Sequence, residues 1–109
     1  MENPLGKGSP APKFNIEDLQ RFGKLLSDSR IILHKTHLEI AKETGFSSTE
    51  ILKWEDSDGF PGEVQLPVIA KCYRIGLGEL VSAFRASKQA RKIQVADRRI
   101  MQNKDHWNK

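Results

Sequence analysis

Between Ile16 and Leu33 apolar residues recur at helical spacing: Ile16, Leu19, Phe22, Leu26 and Leu33, with Leu25 and Ile32 beside them. That is the period of one helix face, and Asn15, followed by Asp18, supplies an N-cap. The pattern predicts a core-facing helix running to about Leu33. Two shorter apolar clusters follow, Leu38, Ile40 and Ala41, then Ile51, Leu52 and Trp54. Each overlaps or follows an S/T-x-x-E sequence, Thr36-His37-Leu38-Glu39 and Ser47-Ser48-Thr49-Glu50. In such a capping box the hydroxyl accepts from an orphan backbone N–H, and the glutamate reaches back to the cap. Gly45 between them suits the left-handed residue that ends a helix, and Phe46 sits where a hydrophobic staple packs into the next one. Residues 36–55 therefore read as two short helices about a tight turn, with apolar faces that need a third element to cover them.

Further on, Pro67 suits the first turn of a helix reaching about Arg74, with Gly76 ending it. Val68, Ile69, Cys72 and Ile75 form its expected buried face. Gly78-Glu79 then opens a last helix with Leu80, Val81 and Phe84 inward. From Arg85 the helix is expected to continue, because the following residues lack glycine and proline and are good helix formers. Ala86, Ala90, Ile93, Asp97, Ile100 and Met101 make a thin stripe flanked by Lys88, Arg91, Lys92, Arg98 and Arg99. A solvated helix, a dimer helix and a basic helix on nucleic acid all fit this segment. Residues 1–13 hold three prolines, two glycines and little to bury, so they read as a disordered arm. The expected organisation is an arm over 1–13, a helix-turn-helix domain over 14–86 and a basic helical tail over 87–109.

The order of residue types from Leu19 to Phe84 resembles the Xre or lambda-repressor type of helix-turn-helix domain of bacterial and phage regulators. Ile40-Ala41 precedes the turn Gly45, followed by Phe46-Ser47 and an apolar-x-Lys-Trp-Glu run from Ile51 to Glu55. Pro61 lies six positions beyond the glutamate, and Ile69-Ala70-Lys71, Gly76 and Gly78-Glu79-Leu80 look like the family's last two helices. The resemblance implies an all-α, five-helix lambda-repressor-like DNA-binding domain with a C-terminal helical extension. It also implies that helix 48–55 enters the major groove while the preceding helix crosses the backbone. Carried over by position, Ser47, Ser48 and Thr49 would meet bases or phosphates and Lys53 a base edge or phosphate one turn later. His37 stands where the family usually has a glutamine that bonds the DNA backbone, and a histidine there would donate to phosphate. Glu55 resembles the family's buried glutamate, which ties helices together. Arg30 would either pair with an acid such as Glu55 or contact phosphate, pairing being the expectation. Glu50 reads as the cap partner and Trp54 as a core anchor. After Glu55 the family's basic residue and glycine are replaced by Asp56 and Ser57, with glycine delayed to Gly59.

Charge changes this picture. Of the chain's net +4, residues 14–86 contribute −2, from 9 Lys/Arg against 11 Asp/Glu, and residues 87–109 contribute +5, from 7 against 2. Within 36–58 two lysines face six acids, which opposes the electrostatic attraction that dominates most DNA binding. The tail would then supply phosphate contacts through Lys88, Arg91, Lys92, Arg98 and Arg99. A protein-interaction module on the same fold, using an acidic helix-turn-helix surface and the basic tail without specific DNA binding, is the alternative.

The remaining chemistry is sparse. Cys72 is a lone cysteine in an apolar run and reads as a small buried hydrophobe. His34, His37 and His106 show no metal-ligand spacing, and the Asp56-x-Asp58-Gly59 stretch lacks a closing glutamate for calcium, because Pro67 stands there. With no phosphate-cradling glycine loop and no nucleophile-base set, neither an enzyme nor a cofactor is expected. No apolar run approaches a membrane span. The expectation is a cytoplasmic regulator whose partners are double-stranded DNA and a second copy of the chain, with a protein at the C-terminal helix as a further candidate and no membrane role.

Overall fold

The computed structural model describes the backbone of residues 14–107 and the side chains of residues 14–96. The expected arm over 1–13 lies outside the described residues. Among the described residues there are five helices: α1 (Ile16–Ile32), α2 (His37–Thr44), α3 (Ser48–Glu55), α4 (Leu66–Tyr73) and α5 (Leu77–Trp107), with a 3₁₀ turn at Glu63–Gln65 before α4. The fold is an all-α five-helix domain.

Local chemistry sets the helix starts. The Asn15 side chain accepts from the Glu17 N–H at 2.9 Å. Both capping boxes are complete: Thr36 Oγ1 accepts from the Glu39 N–H at 3.1 Å while Glu39 Oε1 accepts from the Thr36 N–H at 2.8 Å. Ser47 and Glu50 repeat the arrangement at 3.1 and 3.4 Å. Gly45 ends α2 at φ 83°, in the left-handed region open to glycine. Phe46 then meets Trp54 edge-on, with ring centroids 5.4 Å apart.

Phe22, Leu26, Ile40, Ile51, Trp54, Leu66, Ile69, Tyr73, Leu80 and Phe84 form the core. Helix α1 is its axis, packing most extensively on α5 and next on α3. Two details fix those crossings. A Cβ on Gly23 would lie 2.6 Å from the carbonyl oxygens of Trp54 and Glu55, so α1 approaches the end of α3 more closely than any side chain permits. Across α1, the fully buried Ser87 donates through Oγ to the Asp18 carbonyl at 2.6 Å and accepts from the Phe22 N–H at 2.9 Å.

Several expected core positions are exposed, for angular reasons. Ile16 and Ile32 sit at the ends of α1, beyond the reach of its neighbours, and are exposed, while Leu33 is only half-buried. Leu38 lies two residues, or about 200°, from the buried Ile40 and points outward at 68% exposure. On α4 the buried set is Leu66, Ile69, Ala70 and Tyr73, a helical i, i+3, i+4, i+7 stripe that leaves Val68 outside. This helix ends one residue earlier than expected, and Arg74 rather than Gly76 takes the left-handed turn, at φ 56°. Helix α5 begins at Leu77 and runs unbroken past residue 86, with Ser87 and Ala90 buried. The helix thus continues across residue 86 as expected, and Ser87 and Ala90 at the start of the basic segment are buried.

Candidate nucleic-acid interface

At about 100° per residue, Ile51 and Trp54 fix the inward side of α3, and both are buried. The opposite arc carries Thr49, Leu52 and Lys53, all exposed, with Ser48 half-buried at its edge and Ser47 serving as the cap. Leu52 was expected to face the core, yet it is 43% exposed. It lies about 200° from Trp54, outside the side of the helix that Ile51 and Trp54 turn inward.

The C-terminal end of α3 is anchored through Glu55. Its carboxylate is 5% exposed and accepts from Arg30 Nε at 3.0 Å, Arg30 Nη2 at 3.0 Å, the Tyr73 hydroxyl at 3.0 Å and His37 Nε2 at 3.1 Å. Arg30 also donates to the Lys35 carbonyl at 2.9 Å, which pins the link between α1 and α2. The hydrogen bond to Glu55 raises the Arg30 pKa further despite partial burial, and burial, then Glu55, pushes the Tyr73 phenol well above its ordinary range. The expected Arg30–Glu55 pairing is present. His37, expected to face phosphate, is turned into the domain instead, because this carboxylate offers it an acceptor.

This geometry redistributes the acidity of residues 36–58. Glu39 and Glu50 fold back onto their caps. Glu43 pairs with Lys35 at 2.8 Å, and that hydrogen bond is the main cause holding its carboxyl below the usual range. Glu55 is internal. Asp56 and Asp58 follow the C-terminal end of α3, away from Ser48 and Thr49. The outward arc of α3 therefore carries one cation, Lys53, with the exposed Glu50 at its edge folded back onto the Ser47 cap.

The loop after α3 keeps a left-handed turn without glycine: Ser57, buried, has φ 64°. Arg91 of α5 donates to its carbonyl oxygen and, through Nη1, to Gln94 Oε1 at 3.3 Å. Arg91 was expected at a phosphate, but α5 runs alongside this loop and the guanidinium is used inside the domain. Lys88 lies over the Phe84 ring at 5.1 Å, and Lys92 is exposed beside Arg85 in a shallow basic cleft. The side chains of Arg98 and Arg99 lie outside the described residues.

A second shallow cleft is lined by Lys35, Glu43, Val68, Lys71, Cys72 and Arg74. There burial, then the hydrogen bond from its thiol to Glu43, pushes Cys72 up to about 11. Among the described residues no three His, Cys, Asp or Glu side chains gather as a metal site, and no described helix is long and apolar enough to cross a membrane.

Residue identity alone missed the exposure of Leu52, the buried hydroxyls of Tyr73 and Ser87, and the inward use of Arg91. The angular offset of Leu52 from Ile51 and Trp54 was a usable signal. The others depend on contacts between distant segments. Comparison with protein-family models, curated proteins and solved structures finds no match.

Proposed function

We propose that this chain is a DNA-binding transcriptional regulator of the Xre helix-turn-helix type, with α3 lying in the major groove. The observation that supports this reading is the outward arc of α3: Thr49, Leu52 and Lys53 exposed opposite a buried Ile51 and Trp54, with the segment's glutamates engaged elsewhere. Thr49 and Lys53 are the base-edge candidates, and Ser47 and Ser48 lie at the helix start where backbone or phosphate contacts fall. Lys88 and Lys92, with Arg98 and Arg99, are the candidates for phosphate attachment. Reading a two-fold operator would use two copies of the chain, with the end of α5 as the assembly element. No catalytic role is assigned.

A protein-interaction module is the second reading. It is favoured by the exposed Leu38 together with the acidic turn at Asp56 and Asp58. Fluorescence anisotropy of the full chain with duplex DNA across a salt series separates the two. The DNA reading predicts specific binding that Lys53→Glu abolishes at unchanged helical content, and a salt slope that flattens when the chain ends after residue 96. Truncation at residue 87 is the poorer test, because it strips Ser87 and Ala90 from the core. Affinity unaffected by Lys53→Glu removes α3 from the interface, and absence of binding from the full chain leaves the interaction module.

A further inference from the structure

We propose that Leu52 reads thymine: its side chain meets the 5-methyl group of a thymine in the major groove and gives α3 a preference for an A·T pair at that point of its site. This rests on the DNA-binding reading above and names a specificity that reading does not contain.

Leu52 is 43% exposed in an eight-residue helix whose core contacts are supplied by Ile51 and Trp54, both buried. Its neighbours on the outward arc are Thr49 one turn before and Lys53 beside it, with Ser48 at the edge. Those three are polar and hydrogen-bond several different base edges. Leucine brings neither donor nor acceptor.

In the major groove every base pair presents donors and acceptors, and the thymine C5-methyl is the apolar group among them. A leucine pressed against a G·C pair strips water from its polar edge and returns no hydrogen bond, which is a cost. Against thymine it buries a methyl group on each side, which is a gain. Leu52 therefore discriminates in both directions. Glu50, exposed one turn before Lys53, directs its carboxylate at the Ser47 cap.

The test starts by selecting duplexes from a random-sequence pool with the full chain. The best duplex is remade with deoxyuridine replacing thymidine one position at a time, which removes a methyl group and leaves pairing unchanged. Affinities are read by anisotropy for the full-length protein and for Leu52→Ala, with circular dichroism confirming equal helical content. At one position the replacement weakens the unaltered protein about fourfold, the worth of one buried methyl group, and leaves Leu52→Ala unchanged. If both proteins bind and no position separates them, Leu52 does not read thymine while the DNA-binding reading stands. If the pool yields no enriched duplex, the DNA-binding reading falls and this inference falls with it.

Discussion

Replacing Glu55 by alanine is the most informative perturbation of the fold, because four donor atoms converge on its carboxylate. The Arg30 and Glu55 side chains are 14% and 5% exposed, so the variant leaves a largely buried guanidinium with only the Lys35 carbonyl for a partner. Removing one member of a buried ion pair costs about 3–5 kcal/mol, and the Tyr73 hydroxyl loses its acceptor as well. A domain of this size has roughly 5–12 kcal/mol in total, so Glu55→Ala is expected to fold with a much reduced margin. The double variant Arg30→Met with Glu55→Leu removes both charges and fills the space with apolar groups. It is expected within about 2 kcal/mol of the natural chain. Urea unfolding followed by tryptophan fluorescence and by circular dichroism measures the natural chain, Arg30→Met, Glu55→Leu and their double variant as the four corners of the cycle, with Glu55→Ala beside them. With a slope of about 1–1.5 kcal/mol per molar, Glu55→Ala should lower the midpoint by about 2–5 M. A loss under about 1 kcal/mol for the single variant, or a double variant as unstable as the two singles summed, would refute the view that this cluster ties α1, α2, α3 and α4 together.

Gly23→Ala sets two effects against each other. Helix propensity favours alanine by about 1 kcal/mol, whereas contact with two backbone oxygens forces α1 and α3 apart at about 1–3 kcal/mol. The clash at 2.6 Å is with backbone that cannot rotate away, so the variant should be less stable and Trp54 emission should shift; a gain in stability would show that the helices do not approach so closely. Cys72, pushed to about 11 from an ordinary 9.0, should be alkylated far more slowly at pH 8 in the folded chain than in urea. Because the folded pKa is the raised one, its stabilising contribution is complete below about pH 9 and is lost as pH climbs through about 11. Tyr73 has the same sign, so the urea midpoint should fall between pH 8 and pH 10.5, and a rising midpoint would contradict both assignments.

Much of the fold was legible in the chain because its signals are local. Thr36 and Glu39, and Ser47 and Glu50, lie three residues apart, so the capping boxes form within one turn whatever the rest of the protein does. Gly45 and the Ile51/Trp54 spacing are equally short-range, and they suffice for the helix starts, the turn and the outward positions of Thr49 and Lys53. Even the Arg30–Glu55 pair was anticipated, as the favoured of two readings of Arg30.

Other features exist only where separated segments meet. Leu38 and Leu52 look like core residues by type, and their exposure follows from which arc the neighbouring helices cover. His37 by its position in the resemblance and Arg91 by its charge were expected at phosphate, but a buried carboxylate hydrogen-bonds the first and the Ser57 carbonyl the second. Ser57 holds a left-handed turn that glycine would ordinarily take, buried in a loop that α5 fastens from 34 residues away. Short-range hydrogen bonding and helical period are encoded within a turn or two of sequence, so the helices and their ends were determined there. Burial and the destination of each long polar side chain depend on packing between helices, and for Leu52, His37 and Arg91 only the tertiary structure decided them.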